Sequence, residues 1–348
     1  SGSTNCPDSQ WPAWEIQKIA NPADRSGKSA NLFGLYKTPE ERRSLINRLQ
    51  RLEVTTYRFS VEWSHLQPQK DSPINKENLQ VYVDLCKQLR DAGIHPSVTL
   101  HHFSEPLWFH QMGSFEKEEN IDCFVEFAEA VFTALTVSYQ GQPLVEQFYT
   151  INEPAIEAFS RYVMGSFSCS PADPQARGAT LVGKIFELFA RHVLGRLTTG
   201  TILNFNRAGH FLRGALRAHS KVYERLKSKN DLVQIGIVHQ YLQFIPARPL
   251  LVPVTKYFTH LINKTSLHYF KTGEFNLKMP FCHIASKDPI PKTDFVGLQY
   301  YVRPVIGLTG STGYHEPMTL MPFREDPEGL YEAITETYSH VNKPIVIT

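Results

Sequence analysis

No apolar run in this sequence approaches the roughly 18 residues that a membrane-crossing helix needs. Its start, "SGSTNCPDSQW", also lacks the apolar core of a signal peptide and reads as a scar or a cut end. No membrane span is expected. Charge of one sign is likewise missing: 36 basic side chains balance 34 acidic ones, for a formal net charge of +2, with no long block of either. Nucleic acid and anionic membranes are therefore not indicated as partners. Cysteine is sparse. The five residues, Cys6, Cys86, Cys123, Cys169 and Cys282, are odd in number and include no CxxC pair. That pattern suggests neither a disulfide framework nor a zinc site, and it favours a reducing, cytoplasmic compartment. Short repeats, low-complexity tracts and an interdomain linker are absent as well. "NKT" at Asn263 forms a glycosylation sequon, a triplet common by chance.

What is present is ordinary globular composition, 42% hydrophobic and 20% charged, over 348 residues. Short β-rich runs alternate with segments of helical periodicity, the pattern of repeated βα units on a parallel sheet. The strands are expected at 54–61, 95–102, 145–151, 233–240, 294–301 and 344–348. Helices are expected between them. "KENLQVYVDLCKQLRDAG" spaces Leu79, Val83, Cys86 and Leu89 by three and four, with Gly93 as the stop, and "NIDCFVEFAEAVFTAL" does the same with Phe124, Phe127, Ala128 and Val131. Segments 208–228 and 327–340 read as two more. The span 166–207 breaks the rhythm and reads as an inserted loop with its own helix, "LVGKIFELFARHVL", so residues 1–348 are taken as one domain carrying one insertion.

Ligands meet the C-terminal ends of strands in βα barrels and open parallel sheets alike. The polar and aromatic residues at those ends are Arg58, Glu62 and Trp63; His101 and His102; Asn152 and Glu153; His239 and Gln240; and Gln299, Tyr300 and Tyr301. Glu153 stands out, because it closes a β-rich run and sits between an asparagine and a proline. His101, His102 and His110 lack a carboxylate at recognisable spacing, so no metal is expected. Neighbours on a strand face opposite ways, so one of His101 and His102 packs behind the sheet. Arg58 has a plainer alternative as a partner of Glu62, and Tyr300 and Tyr301 as barrel core and rim. "GLTGSTG" (307–313) lacks the spacing of a phosphate loop and reads as a hairpin or turn. Trp63 and the phenylalanine-rich helix faces read as core, and Trp108, at a loop, reads as core or as a sugar platform.

Taken together, "YRFSVEWSHLQP", "VTLHHFSEPLWF", "YTINEP" and "DFVGLQYYVRP" resemble, in order and approximate spacing, the β-glycosidases of glycoside hydrolase family 1. "DRSGKSANLFGLY" and "LRAHSKVYERLK" are similar to less distinctive stretches of that family. The resemblance implies a (β/α)8 TIM barrel and a retaining hydrolase acting on β-glucosides or related sugars without a cofactor. It implies Glu153 as general acid/base, Asn152 on the sugar 2-hydroxyl, His102 and Gln299 in the sugar subsite, and Arg58 with Tyr301 flanking the nucleophile. Three positions depart from the family pattern: Gln299 stands where asparagine is usual, Phe103 where tryptophan is common, and Arg161 where glycine is frequent.

The resemblance also implies a nucleophilic glutamate directly after Thr348, and first and last strands outside residues 1–348. If those residues were the whole chain, an open seam is expected beside the strands 54–61 and 344–348, with an oligomer or a complementing fragment as partner and no unaided catalysis. Glu316 would be the first alternative carboxylate to mutate. The alternatives to hydrolysis are a sugar-binding or scaffolding relative without a nucleophile, and a transglycosidase.

Overall fold

A computed structural model describes residues 6–18, 31–164, 204–279, 282–307, 310–311 and 325–348. All six expected strands form, each within a residue or two of its β-branched and aromatic run: β1 (Thr56–Ser60), β2 (His95–His101), β3 (Gln147–Asn152), β4 (Gln234–Gln240), β5 (Phe295–Gln299) and β6 (Ile345–Ile347). Their hydrogen-bonded order equals their chain order, β1 through β6. The pairs β1–β2, β2–β3 and β5–β6 are parallel. A doubly wound sheet would reverse its order at a switch point. Strictly sequential parallel strands instead follow the winding of a barrel.

The chain forms two compact units, one of residues 1–152 with 217–237, the other of residues 153–216 with 238–348. In the first, α1 (Lys76–Asp91) starts on Asn75, whose side chain accepts from the Asn78 N–H, and stops at Gly93, where φ is +76°. Val83, Cys86 and Leu89 are buried as their spacing predicts. Helix α2 (Ile121–Leu135) buries Phe124, Phe127, Ala128 and Val131. Trp63 is the centre of this packing, 1% exposed, stacked 4.8 Å from Phe127 and edge-on at 5.5 Å from Trp108, so Trp63 is core while Trp108 is half-buried.

Helix α3 (Phe205–Lys227) begins three residues before its expected start, inside the span read as an insertion. The rest of that span, with "LVGKIFELFARHVL", Cys169 and the alternative carboxylate Glu316, lies outside the described residues. In the second unit, a hairpin of Glu274–Met279 and Cys282–Lys287 follows Gly273, whose φ is +75°. Ile306 and Gly307 pair antiparallel with Ser311 and Gly310, while the other residues of "GLTGSTG" lie outside the described residues. Helix α4 (Pro327–Val341) is capped by the Asp326 side chain, which accepts from the Gly329 N–H. Asn263 of the sequon is fully buried, its amide donating to the Leu242 carbonyl at 2.9 Å and accepting from the Leu242 N–H at 3.0 Å. That pairing gives this asparagine a structural role. Cys6, Cys86, Cys123 and Cys282 are free thiols. No described helix is long and apolar enough to cross a membrane.

Candidate active site

In the first unit the C-terminal ends of β1, β2 and β3 bring Arg58, His102 and Asn152 into one polar cluster. Arg58 Nη2 donates to Asn152 Oδ1 at 2.7 Å, and Arg58 Nε donates to Thr99 Oγ1 at 3.0 Å. Its guanidinium carbon also lies 4.6 Å from the centre of the Tyr149 ring. A guanidinium only donates, so it forces the Asn152 amide to present its oxygen and to turn Nδ2 the other way. Nδ2 is buried and makes no hydrogen bond among the described residues. Such an orphaned donor is uncommon and needs an acceptor from elsewhere.

His102 is held by a 2.9 Å bond between its Nδ1 and Ser60 Oγ, and by the edge of the Phe103 ring at 5.1 Å. Burial, with the positive charge of Arg58 adding to it, holds the imidazole well below its usual pKa, so it is neutral at pH 7. His101 is the histidine behind the sheet, buried edge-on to Phe115 at 5.2 Å. Glu62 caps the next helix, its carboxylate accepting from the Ser64 N–H at 3.2 Å and from Ser104 Oγ at 3.1 Å. A cavity of about 200 Å³ is lined by Tyr57, Arg58, Ser60, Glu62, His65 and His102 among others.

In the second unit Glu153 is 4% exposed and adopts φ +46°, ψ +57°. This left-handed conformation is costly for a residue with a Cβ, and it persists where surrounding structure holds it. Here the Glu153 N–H donates to the Val238 carbonyl at 2.9 Å, while its own carbonyl accepts the Glu157 N–H at 3.0 Å and opens a helix with Pro154 in its first turn. The carboxylate accepts from the Gln240 amide, Nε2 standing 3.2 Å from each oxygen in the orientation that satisfies both groups. Gln299 is buried at the end of β5. Its carbonyl accepts from the Tyr241 N–H at 2.9 Å, and its Oε1 has no hydrogen bond among the described residues. Tyr301, two residues on, is 41% exposed. Tyr300 is structural, donating to Asp326 at 2.6 Å beside the two-pronged Arg303–Asp326 pair.

Two of the sequence-derived residues in the first unit, Arg58 and Asn152, are thus in direct contact. Arg58 and Tyr301, assigned together to the nucleophile, belong to different units. Gln240 had no role in the sequence reading, although its place at a strand end was the signal that could have supplied one. Arg161, the departure from glycine, is 1% exposed in a π-helical turn (Ser160–Met164). It lies 3.9 Å from buried Glu157, with its guanidinium carbon 5.1 Å from the Phe211 ring centre. Among the described residues no group of three or more His, Cys, Asp or Glu is arranged to hold a metal ion.

The model of glycosyl hydrolase family 1 matches residues 40–306. The galactolipid galactosyltransferase SFR2 of Arabidopsis thaliana is 24% identical over 311 residues, covering 85% of this chain and 42% of that protein. Beta-glucosidase A of Thermotoga maritima is 25% identical over 317 residues, covering 86% of this chain and 63% of that protein. This chain therefore spans less than two thirds of the length of these curated relatives. Among solved structures, a beta-glycosidase from Pyrococcus horikoshii superposes with a TM-score of 0.72 and 25% identity over 96% of this chain and 70% of that one.

Proposed function

The chain belongs to glycosyl hydrolase family 1 and has its (β/α)8-type fold, and from that membership we propose that it cleaves β-linked glycosides with retention, Glu153 serving as acid and then base. The observation that carries this reading is Glu153 itself. A buried carboxylate at a strand end, on a left-handed backbone and gripped by a side-chain amide, is an arrangement that stability alone does not favour. In the first step Glu153 gives its proton to the leaving oxygen as a second carboxylate attacks the anomeric carbon. In the second step it takes a proton from water, which displaces that carboxylate and releases the sugar. Asn152 Nδ2 is the donor for a sugar hydroxyl, most simply the 2-hydroxyl, and Gln299 Oε1 is an acceptor for another. Neutral His102 adds a third sugar contact.

The second carboxylate belongs roughly 5 to 5.5 Å from the first in a retaining site. β6 pairs Ile347 with Leu298, and the Thr348 N–H donates to the Leu298 carbonyl at 3.0 Å. We place the nucleophile directly after Thr348, and the pairing of this strand end at the carboxyl edge of the sheet supports that reading. Residues 1–348 are read as one domain with the 166–207 span inserted. The substrate is a β-glucoside, β-galactoside or related sugar.

Glu153→Gln tests the reading. On substrates with poor leaving groups turnover should fall about 10²- to 10⁴-fold, the usual worth of a placed general acid. Activated aryl glycosides should lose less in the first step, and azide, which needs no base, should restore the second by forming a glycosyl azide. An equal, small effect on both substrate types would remove Glu153 from this role. The match to a galactosyltransferase over 85% of this chain supports a second reading, in which a sugar hydroxyl replaces water as acceptor. Transfer product exceeding free sugar at millimolar glycoside acceptor would select it.

A further inference from the structure

The segment from Cys6 to Lys18 has no place in the sequence reading beyond a scar or cut end, yet in the first unit it is stitched to the turn that follows β2. Ser9 bridges to Pro106, and the Leu107 N–H donates to the Asp8 carbonyl at 2.8 Å. Gln10, only 1% exposed, forms the tightest part of the seam. Its N–H donates to the Glu105 carbonyl at 3.2 Å, its Oε1 accepts from the Glu105 N–H at 3.0 Å, and its Nε2 donates to the Phe103 carbonyl at 3.0 Å. Trp11 Nε1 donates to that same carbonyl, also at 3.0 Å.

The residue so gripped is Phe103, whose φ of +60° is a conformation few phenylalanines adopt. Two donors on its carbonyl and a bidentate bond just beyond it are what hold a bulky residue there. The consequence reaches the site, because the Phe103 ring stands edge-on to the His102 imidazole, on which Ser60 holds Nδ1. We propose that Gln10 is a positioning residue for His102: through the Phe103–Glu105 turn it fixes the imidazole in one orientation and one neutral tautomer for contact with a sugar. The sugar contact rests on the glycosidase reading; the fixed imidazole does not.

The full chain labelled with ¹⁵N-histidine is compared as wild type, Gln10→Leu, Gln10→Glu and Trp11→Phe, with melting temperature as the control for folding. Ring ¹⁵N shifts report the tautomer directly. In folded Gln10→Leu the His102 ring nitrogens should move toward averaged shifts, and deoxynojirimycin should bind about 10-fold more weakly or worse, since small misplacements of a binding group are costly. Gln10→Glu keeps the acceptor for the Glu105 N–H and loses one donor to Phe103, so it should fall between wild type and Gln10→Leu. A merely structural Gln10 would lower the melting temperature and leave the His102 signals in place, which overturns the proposal. If Gln10→Leu does not fold, Gln10→Glu and Trp11→Phe each still remove one donor from the Phe103 carbonyl, and unchanged His102 signals in both overturn it equally. A wild type that does not bind deoxynojirimycin counts against the glycosidase reading, while the ring shifts still decide the role of Gln10.

Discussion

Glu153 shows at one residue how function and stability pull apart. Its left-handed backbone strains any side chain with a Cβ, and glycine alone avoids that strain. Glu153→Ala and Glu153→Gly both delete the carboxylate and the Gln240 bonds, so they differ mainly in backbone. The glycine variant should be the more stable by about 1 kcal/mol despite its larger unfolded-state entropy. Urea unfolding of the pair measures it, and the reverse order would mean that the strain is not there. Arg58→Met acts differently. It frees the Asn152 amide to rotate and leaves Asn152 Oδ1 and Thr99 Oγ1 without their donor, while its chain can still lie on Tyr149. A stability loss of roughly 1 to 3 kcal/mol is expected, accompanied by a fall in turnover of at least about 100-fold, as an oriented donor is lost from the site. A rate loss no larger than the loss of folded protein would return Arg58 to a structural role.

Elements set these residues in place through their ends. Five of the six main strands finish in a polar residue, Ser60, His101, Asn152, Gln240 and Gln299, and side chains cap the helices that begin after Glu62, Asn75 and Asp326. Gly273 is the sharpest case in the second unit. It closes the helix Thr265–Thr272 at φ +75°, and a Cβ there would stand 2.2 Å from the Asp288 carbonyl oxygen. Backbone cannot withdraw as a flexible side-chain tip can. Gly273→Ala should therefore cost at least about 2 kcal/mol, the left-handed penalty plus displacement of the hairpin end. A calorimetric melting temperature within a degree of wild type would contradict that. The same logic explains why helix α3 starts earlier than its periodicity indicates. The Asn204 N–H donates to the Tyr162 carbonyl at 2.8 Å, and Asn204 Oδ1 accepts from the Arg207 N–H at 3.2 Å, so a cap rather than an apolar repeat marks the start.

For the whole molecule, buried neutral histidines tie stability to pH. His239 is 6% exposed, and burial, with the charge of His340 second, lowers its pKa to about 4; His102 is lowered in the same direction. In the unfolded chain both return to about 6.5. Between those values the unfolded state binds protons that the folded state refuses, so stability is full above pH 6.5 and falls as pH drops toward 4. The slope should approach 1.4 kcal/mol per pH unit for each such histidine. Urea unfolding at pH 7 and pH 5 should show the loss, and His239→Gln should remove about one histidine's share of it. A variant as pH-sensitive as wild type would mean that His239 is protonated in the fold.

The sequence by itself determined the order of the six main strands and of helices α1 to α4 and the short list of strand-end residues, because those depend on side-chain periods of 2 and 3.6 that neighbours carry within a few residues; the helices Pro39–Arg51 and Thr265–Thr272 and the hairpin after Gly273 had no such reading. The sequence singled out Glu153 from its local context and put Asn152 and Arg58 among the strand-end residues, their roles following only from the family resemblance. Only the tertiary structure decided what those residues do to one another. Arg58 and Asn152 lie 94 positions apart and Gln10 and Phe103 lie 93 apart, so no local pattern records that a guanidinium turns an amide or that an N-terminal glutamine holds a turn. The backbone of Glu153 belongs to the same class. Nothing in "YTINEP" requires a left-handed glutamate; the Val238 carbonyl and the helix behind it impose that conformation, and both are products of packing.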